Sequence, residues 1–456
     1  MHVVGLVMHP WVGLSDDVRL GVLTEWVTPE LVDEVLAECG RGGVKPGALS
    51  PRFMVYFTLA LALFAQDSYD DVAENLVGAL EGMHETVPNR ASFTRARQRL
   101  GPEVLEVLFR RVGGAVAPEG LVGSFWRGMR LAAVDGFVLD VPDSEANRAY
   151  FGGPTDARKA EAGFPQVRVV TLTETGTHAS IDARIGGFNG GERELAVQMA
   201  DSAAGMLVLM DRGLPGVELW KAYTGAGAHL LLRARSTVAS RPLEVLPDGT
   251  YLGRMSLAGQ RASHPGGVTV RVIEYRVDGG EVIRLLTDLM DIDTYPAAEL
   301  AALYHERWEV ESAYRQVKTF QRGPQQVLRS AAPALARQEV WAHLVVHHCL
   351  TLIITQVAGG ERIDPDRISF VKVLKHVRRS VVTQAKDAVS AVGSFLSMLE
   401  AKVRRKLDSG PRRHRTAPRV LKRPDSKYSP SVKKRQHGPT RRVTAQLITL
   451  HPTVGG

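Results

Sequence analysis

Apolar positions in the first quarter of the chain recur at helical spacing, and each run carries its own start signal. Thr28-Pro29 opens a helix through Leu36, and Ser50-Pro51 opens another that stays apolar through Phe64. Asp67 to Leu80 is amphipathic. Asn89 to Leu100 follows Pro88, is rich in arginine, and stops at Gly101. From Met129 the period changes. Leu131–Val134 is a short apolar strand ending in Asp135-Gly136, and Phe137–Val141 continues or returns it. Val167–Leu172 and Ala179–Ile185 are further strands joined by a Glu174-Thr175-Gly176 turn. Glu192–Ser202 reads as helix, Met206–Met210 as a buried strand ending at Asp211-Arg212-Gly213, Val217–Tyr223 as helix and His229–Arg233 as strand. Three strands, helix, strand, helix, strand is the order of a mixed α/β sheet. Residues 236–290 break the alternation with short strands and turns at Pro247-Asp248-Gly249, Pro265-Gly266-Gly267 and Asp278-Gly279-Gly280, which predicts a β-rich insertion. Helix resumes near Pro296 and runs in segments to about residue 400.

At 456 residues, with 44% hydrophobic and 23% charged positions, the chain is a folded protein of two to four domains. Met1–Leu14 lacks the basic and apolar regions of a secretory signal. Val340–Gly360 carries no Asp, Glu, Lys or Arg and is long enough to raise a bilayer question. Its histidines His343, His347 and His348 and the absence of an aromatic belt favour a buried core helix. Cys39 and Cys349 are the only cysteines, so a disulfide framework or zinc finger is excluded and a reducing cytoplasm fits. No GxxxxGK[ST] loop is present, so no bound nucleotide is implied.

The net charge of +8 is unevenly distributed. Lys402 to Arg442 holds sixteen Lys or Arg against two Asp, while the remainder holds 41 basic and 47 acidic residues. The basic excess interleaved with Pro and Gly reads as a flexible polycation suited to phosphate backbones, against the plainer reading of a solubilising tail. Arg90, Arg95, Arg97 and Arg99 make the Asn89–Leu100 helix basic. A helical DNA reader and a helix with a solvated basic face both fit it.

Residues 304–318 carry the candidate chemistry. Tyr304, Arg307, Glu311 and Lys318 stand at offsets of zero, three, seven and fourteen. On a uniform helix they share a stripe of roughly 60°. A carboxylate between two cations suits a site holding a metal and a phosphate chain, and an exposed helix with salt-bridge spacing is the bland alternative. Asp135 and Asp211, each at the end of a core strand, add two carboxylates where ligand crevices form, although Asp after a strand is also a common turn former.

Together these residues resemble a DDE transposase of the insertion-sequence-four family. Tyr304, Arg307, Glu311 and Lys318 match its Y-(2)-R-(3)-E-(6)-K signature in every spacing, Asp135 in Val134-Asp135-Gly136 matches its first Asp, and Asp211 in Met210-Asp211-Arg212-Gly213 its second. The resemblance covers about residues 28–400, and the tail after about 405 matches no pattern. It implies a ribonuclease-H-like catalytic domain over 126–400, interrupted by the 236–290 insertion. A helical DNA-binding domain over 1–125 precedes it and a basic tail over 401–456 follows. It implies that Asp135, Asp211 and Glu311 ligate two Mg²⁺ ions, with Mn²⁺ as a substitute. These activate water for strand nicking before the freed 3′-hydroxyl attacks the other strand or the target. Arg307 and Lys318 would grip phosphates, Tyr304 would pack beside them, and Arg212, Arg95, Arg97 and Arg99 would contact DNA. The implied partners are double-stranded transposon ends and target DNA, bound by a dimer, with no membrane and no nucleotide, in a bacterial cytoplasm at the nucleoid.

Several residues are set aside. Asp140 and Asp143 read as structural, Asp140 on a strand next to that of Asp135. His343, His347 and Cys349 read as packed core, as does Trp126. Glu306 and Glu309 lie off the stripe and are expected in solvent, and Trp308 borders it. A transposase-derived repressor without activity and a nuclease of the same fold are the competing functions.

Overall fold

The computed structural model describes residues 18–42, 49–77, 87–155, 162–239, 241–256, 266–278, 280–323 and 327–383, with short pieces at 395, 397–398, 401–402, 415–416, 441–442 and 448–450. The expectations for Met1–Leu14, for Gly78–Leu80, and for most of the basic stretch 402–442 therefore lie outside the described residues. The chain divides into two compact units: Met1–Ser202 with Val310–Ser409, and Ala203–Glu309 with Gly410–Gly456.

Among the described residues, a 3₁₀ turn (Gly21–Glu25) and five α-helices open the first unit: α1 (Pro29–Glu38), α2 (Pro51–Leu63), α3 (Tyr69–Val77), α4 (Arg90–Leu100) and α5 (Glu103–Val112). Their starts follow from capping. Thr28 Oγ1 accepts from Leu31 N at 3.2 Å, Ser50 Oγ from Phe53 N at 3.1 Å, and Asn89 Oδ1 from Ser92 N at 2.9 Å, each satisfying a backbone donor the helix leaves unpaired. From Phe53 onward α2 is buried on every side. Phe57 stacks on Phe93 of α4 with centroids 4.4 Å apart, and Tyr69 meets both rings edge-on.

A short β1 (Phe125–Trp126) pairs with the start of β2 (Met129–Asp140). After α6 (Glu145–Phe151) come β3 (Gln166–Glu174) and β4 (Ser180–Gly187), giving antiparallel β2–β3–β4 pairing, followed by α7 (Glu192–Val197). β2 is one strand rather than two. It pairs with β3 from Ala132↔Glu174 to Asp140↔Gln166, so Asp135 sits within it and Asp140 shares its strand. The Asp135-Gly136 pair is no turn. A Cβ at Gly136 would lie 2.7 Å from Glu192 Oε1, so the glycine makes room for α7 against the strand.

The second unit opens with parallel β5 (Met206–Met210) and β6 (His229–Ala234), joined by α8 (Val217–Gly225). β7 (Pro242–Val245), β8 (Tyr251–Met255), β9 (Val268–Val277) and β10 (Ile283–Thr287) are the β-rich insertion. β10 pairs with β6, so the insertion extends the sheet of this unit. Helical structure resumes with α9 (Ala297–Leu303), a 3₁₀ turn (Tyr304–Arg307), α10 (Trp308–Arg315) and a π-helical turn (Gln316–Gln321). The boundary between the units falls after Glu309. Back in the first unit, α11 (Pro333–Glu361) packs on α2 and α5, and α12 (Phe370–Thr383) lies against it. By length and composition α11 could cross a membrane, but 89% of its most apolar window is buried inside the protein, as expected for a core helix. β11 (Arg415–Thr416) pairs with β12 (Arg441–Arg442), and β13 (Ile448–Leu450) pairs with β9. The tail is thus not wholly a polycation without structure, because its far end is a sheet strand.

Along the chain, three antiparallel strands, a helix, a strand, a helix and a strand give the ribonuclease-H-like mixed α/β order, preceded by helices.

Candidate active site

In the first unit, β2 and α10 are locked together beside Asp135. Asp135 is half-buried opposite Thr171 of β3, and its Oδ1 accepts from Gly136 N at 2.8 Å. Its carbonyl accepts a hydrogen bond from the Tyr314 hydroxyl, and that hydroxyl also lies 3.1 Å from Thr171 Oγ1. The Tyr314 ring packs on Phe137 at 4.5 Å. Tyr314 is one turn beyond Glu311 and one turn before Lys318. Glu311 is exposed on α10. Lys318 Nζ lies 5.9 Å from the centre of the Phe137 ring. Burial lowers the Lys318 pKa from its ordinary value; Arg322 lowers it further and Asp140 opposes both.

In the second unit, Asp211 follows β5 directly, and its Oδ1 accepts from Gly213 N at 2.7 Å. Tyr304 is buried and donates to the carbonyl of Met210, the residue before Asp211, at 3.2 Å. Burial pushes the Tyr304 phenol up to about 12; Arg307 and Arg233 lower it and Asp211 raises it, so these groups are neighbours. Arg307 is buried, with its guanidinium 4.9 Å from the Trp308 ring. Arg212 is exposed and lines a cleft of about 340 Å³ with Arg233, Arg235, Glu274 and Arg284. Glu274 forms an ion pair with Arg284.

Several expectations need correction. The run 304–321 winds as 3₁₀, then α, then π helix, so the angles of a uniform stripe do not hold. Glu306 and Glu309 are buried, and Trp126 is half-buried rather than core. On α4, Arg95 and Arg99 are exposed, but Arg97 is fully buried. Its Nε donates to Gln338 Oε1 at 3.2 Å and its Nη2 to the Leu335 carbonyl at 3.1 Å, and Glu339 lies 3.8 Å away. Arg97 therefore ties α4 to α11 and has no surface to offer DNA. His343, His347 and Cys349 are buried core, as expected.

Three residues were missed. Tyr314 had a signal in its spacing, three residues after Glu311 on the face shared with Lys318. Arg233 in β6 and Arg235 just past its end line one cleft with Arg212, and their spacing of two was the signal.

Residues 17–110 match the family "Insertion element 4 transposase N-terminal" and residues 126–346 match "Transposase DDE domain". The chain is 29% identical over 422 residues to "Transposase InsG for insertion sequence element IS4" of Escherichia coli (strain K12), covering 91% of this chain and 94% of that protein. It is 30% identical over 159 residues to "Putative transposase InsZ" of the same organism, covering 34% and 53%. Among solved structures, the piggyBac transposase in a synaptic complex with hairpin DNA aligns with a TM-score of 0.44 and 12% identity, over 86% of this chain and 85% of that one. The class defined is that of the DDE transposases. Within it, the chain belongs to the insertion-sequence-4 family.

Proposed function

We propose that this transposase mobilises its element by cut-and-paste transposition, nicking DNA at the element's ends and joining the freed 3′-hydroxyl to a target. The observation that carries this reading is the Tyr314 anchor, which fixes the backbone of Asp135 to the helix bearing Glu311 and Lys318. Asp135, Asp211 and Glu311 supply only carboxylate oxygens, the hard donors that Mg²⁺ takes. These three would hold two Mg²⁺ ions, which when bound lower the pKa of water and stabilise charge on a transferring phosphoryl group.

The chain's own residues do the rest. Lys318, partly desolvated against Phe137, offers a point charge to one phosphate oxygen. The exposed guanidinium of Arg212, beside Arg233 and Arg235, offers a surface for backbone phosphates. Arg95 and Arg99 add phosphate contacts from α4. Tyr304 and Arg307 are buried; Tyr304 holds the Met210 carbonyl before Asp211, and Arg307 lies beside the Tyr304 phenol, so neither is placed to meet DNA directly. A domain of helices over 1–125 and a basic tail over 401–456, both serving DNA binding, complete this reading. The protein works as a dimer on two ends, in the cytoplasm.

The test is cleavage of DNA carrying the element's own ends. Wild-type protein should nick at a defined end in Mg²⁺ and stop in EDTA. Glu311→Gln should bind the same DNA with unchanged affinity and not cut. Binding without cleavage by the wild type, in Mg²⁺ or Mn²⁺, would instead indicate a DNA-binding repressor.

A further inference from the structure

Directly behind the helical run that carries Glu311 and Lys318 lies a buried polar chain with no role in the chemistry above. Gln316, the first residue of the π-helical turn, extends its amide between two histidines from other elements. Its Nε2 is 2.9 Å from His178 Nδ1, and its Oε1 is 2.9 Å from His347 Nε2. His178 Nε2 in turn is 3.4 Å from Asp366 Oδ1. His178, His347 and Asp366 are all buried.

An amide nitrogen only donates and an amide oxygen only accepts, which fixes the protons on both rings. His178 must present a bare Nδ1 to the amide and carry its proton on Nε2, facing the Asp366 carboxylate. His347 must carry its proton on Nε2. Burial, with His178 and His348 nearby, lowers the His347 pKa to about 3, which keeps that ring neutral.

The frame around the chain is stiff. His178 sits at φ +66° in the turn between β3 and β4, a left-handed conformation that a non-glycine residue holds only when its surroundings impose it. In the same turn a Cβ at Gly176 would fall 1.7 Å from Ser124 Oγ, so this segment is tightly seated. His348 Nδ1 lies 3.2 Å from the Ser180 carbonyl, a second link between α11 and the start of β4. A π turn is a less favourable winding than an α turn and persists where something fixes it. Gln316 is where that winding begins.

We infer that the Gln316 amide, clamped between His178 and His347, is a positioning group that sets the register of the run bearing Glu311 and Lys318. Tyr314 fixes the run to β2, and Gln316, two residues on, fixes it to the β3–β4 turn and to α11. Two anchors on different sides remove both rotation and sliding along the helix axis. The inference rests on the transposase reading of Glu311.

Single-turnover nicking of end DNA by the full-length protein, across a Mg²⁺ titration, tests it. Gln316→Leu, close in shape but without either hydrogen bond, should bind end DNA as the wild type does and nick it about 10-fold more slowly. Its half-saturating Mg²⁺ concentration should rise about 10-fold, the scale of losing a group that orients a metal ligand. A merely structural role would lower thermal stability and leave the Mg²⁺ requirement alone. Gln316→Asn, polar but too short to reach both rings, should show the same Mg²⁺ shift. Nitrogen NMR of ¹⁵N-histidine-labelled wild type gives a second readout, independent of cleavage. His347 and His178 should each be protonated on Nε2, with assignments made from His347→Asn and His178→Asn. Wild-type rate and Mg²⁺ requirement in Gln316→Leu would overturn the clamp, as would a proton on His178 Nδ1. A wild-type protein that binds ends without nicking them would overturn the transposase reading itself, and this inference with it.

Discussion

The strands bearing Asp135 and Asp211 are held by the same device, a tyrosine hydroxyl donating to a strand carbonyl, yet the two carboxylates are seated differently. Tyr314 bonds the carbonyl of Asp135 itself, in the middle of a strand whose register with β3 is fixed over nine residue pairs. Tyr304 bonds the carbonyl of Met210, one residue before Asp211, where β5 has just ended. Asp135 is thus oriented by a ladder and an anchor together. Asp211 depends on the anchor and on its own turn, in which Gly213 N reaches Oδ1. A carboxylate in a ladder is rigid by default, whereas one at a strand end must be made rigid by local bonds.

Substitutions test how far that contrast reaches. Asp135→Asn and Asp211→Asn should each reduce end cleavage by roughly 10⁴-fold while leaving DNA binding intact, the scale of removing a group the reaction requires. A much smaller loss at either position would show that its carboxylate is a structural feature of its strand. Tyr314→Phe should slow single-turnover nicking on the order of 10-fold, because the carbonyl it releases belongs to Asp135. Tyr304→Phe should slow nicking less and lower thermal stability more, by about 1–3 kcal/mol, since a buried carbonyl and the nearby Arg307 lose a partner. The reverse ranking, read from rates and melting curves together, would overturn the comparison. Arg95→Ala and Arg99→Ala, on a helix remote in sequence from both tyrosines, serve as controls. Each should leave stability and nicking at saturating DNA unchanged and reduce the salt dependence of DNA binding by about one unit of slope.

Much of this architecture was legible in the sequence because it is written locally. Thr28, Ser50 and Asn89 announce their helices through capping chemistry that needs no distant partner. Asp211 was placed correctly because Met206–Met210 is apolar throughout and Asp-Arg-Gly ends it. Asp135-Gly136 carries the same kind of stop signal, and there the local reading could not decide between a strand that continues and one that returns. β3 pairs straight through it, and the glycine answers to Glu192 of a later helix. At Arg97 the local reading failed. Its neighbours Arg95 and Arg99 are surface residues, but Gln338, Leu335 and Glu339, more than 230 positions away, claim its guanidinium. The burial of Glu306 and Glu309 and the short strand at 448–450 likewise depend on packing that periodicity does not encode.

The Glu311–Lys318 interval shows how a count of residues and a geometry can part company. Six positions separate the two, and a matching rule that counts positions succeeds here. The physical distance travelled, however, includes a turn wound more loosely than an α-helix. A one-codon deletion between Gln316 and Gln321 would be absorbed without strain as ordinary α-helix and would leave the composition of the stretch almost untouched. It would nonetheless remove the π winding that Gln316 begins and, where the lost residue precedes Lys318, shorten the count from Glu311 to Lys318. The length of this stretch therefore matters to the geometry between Glu311 and Lys318 as much as its side-chain identities do.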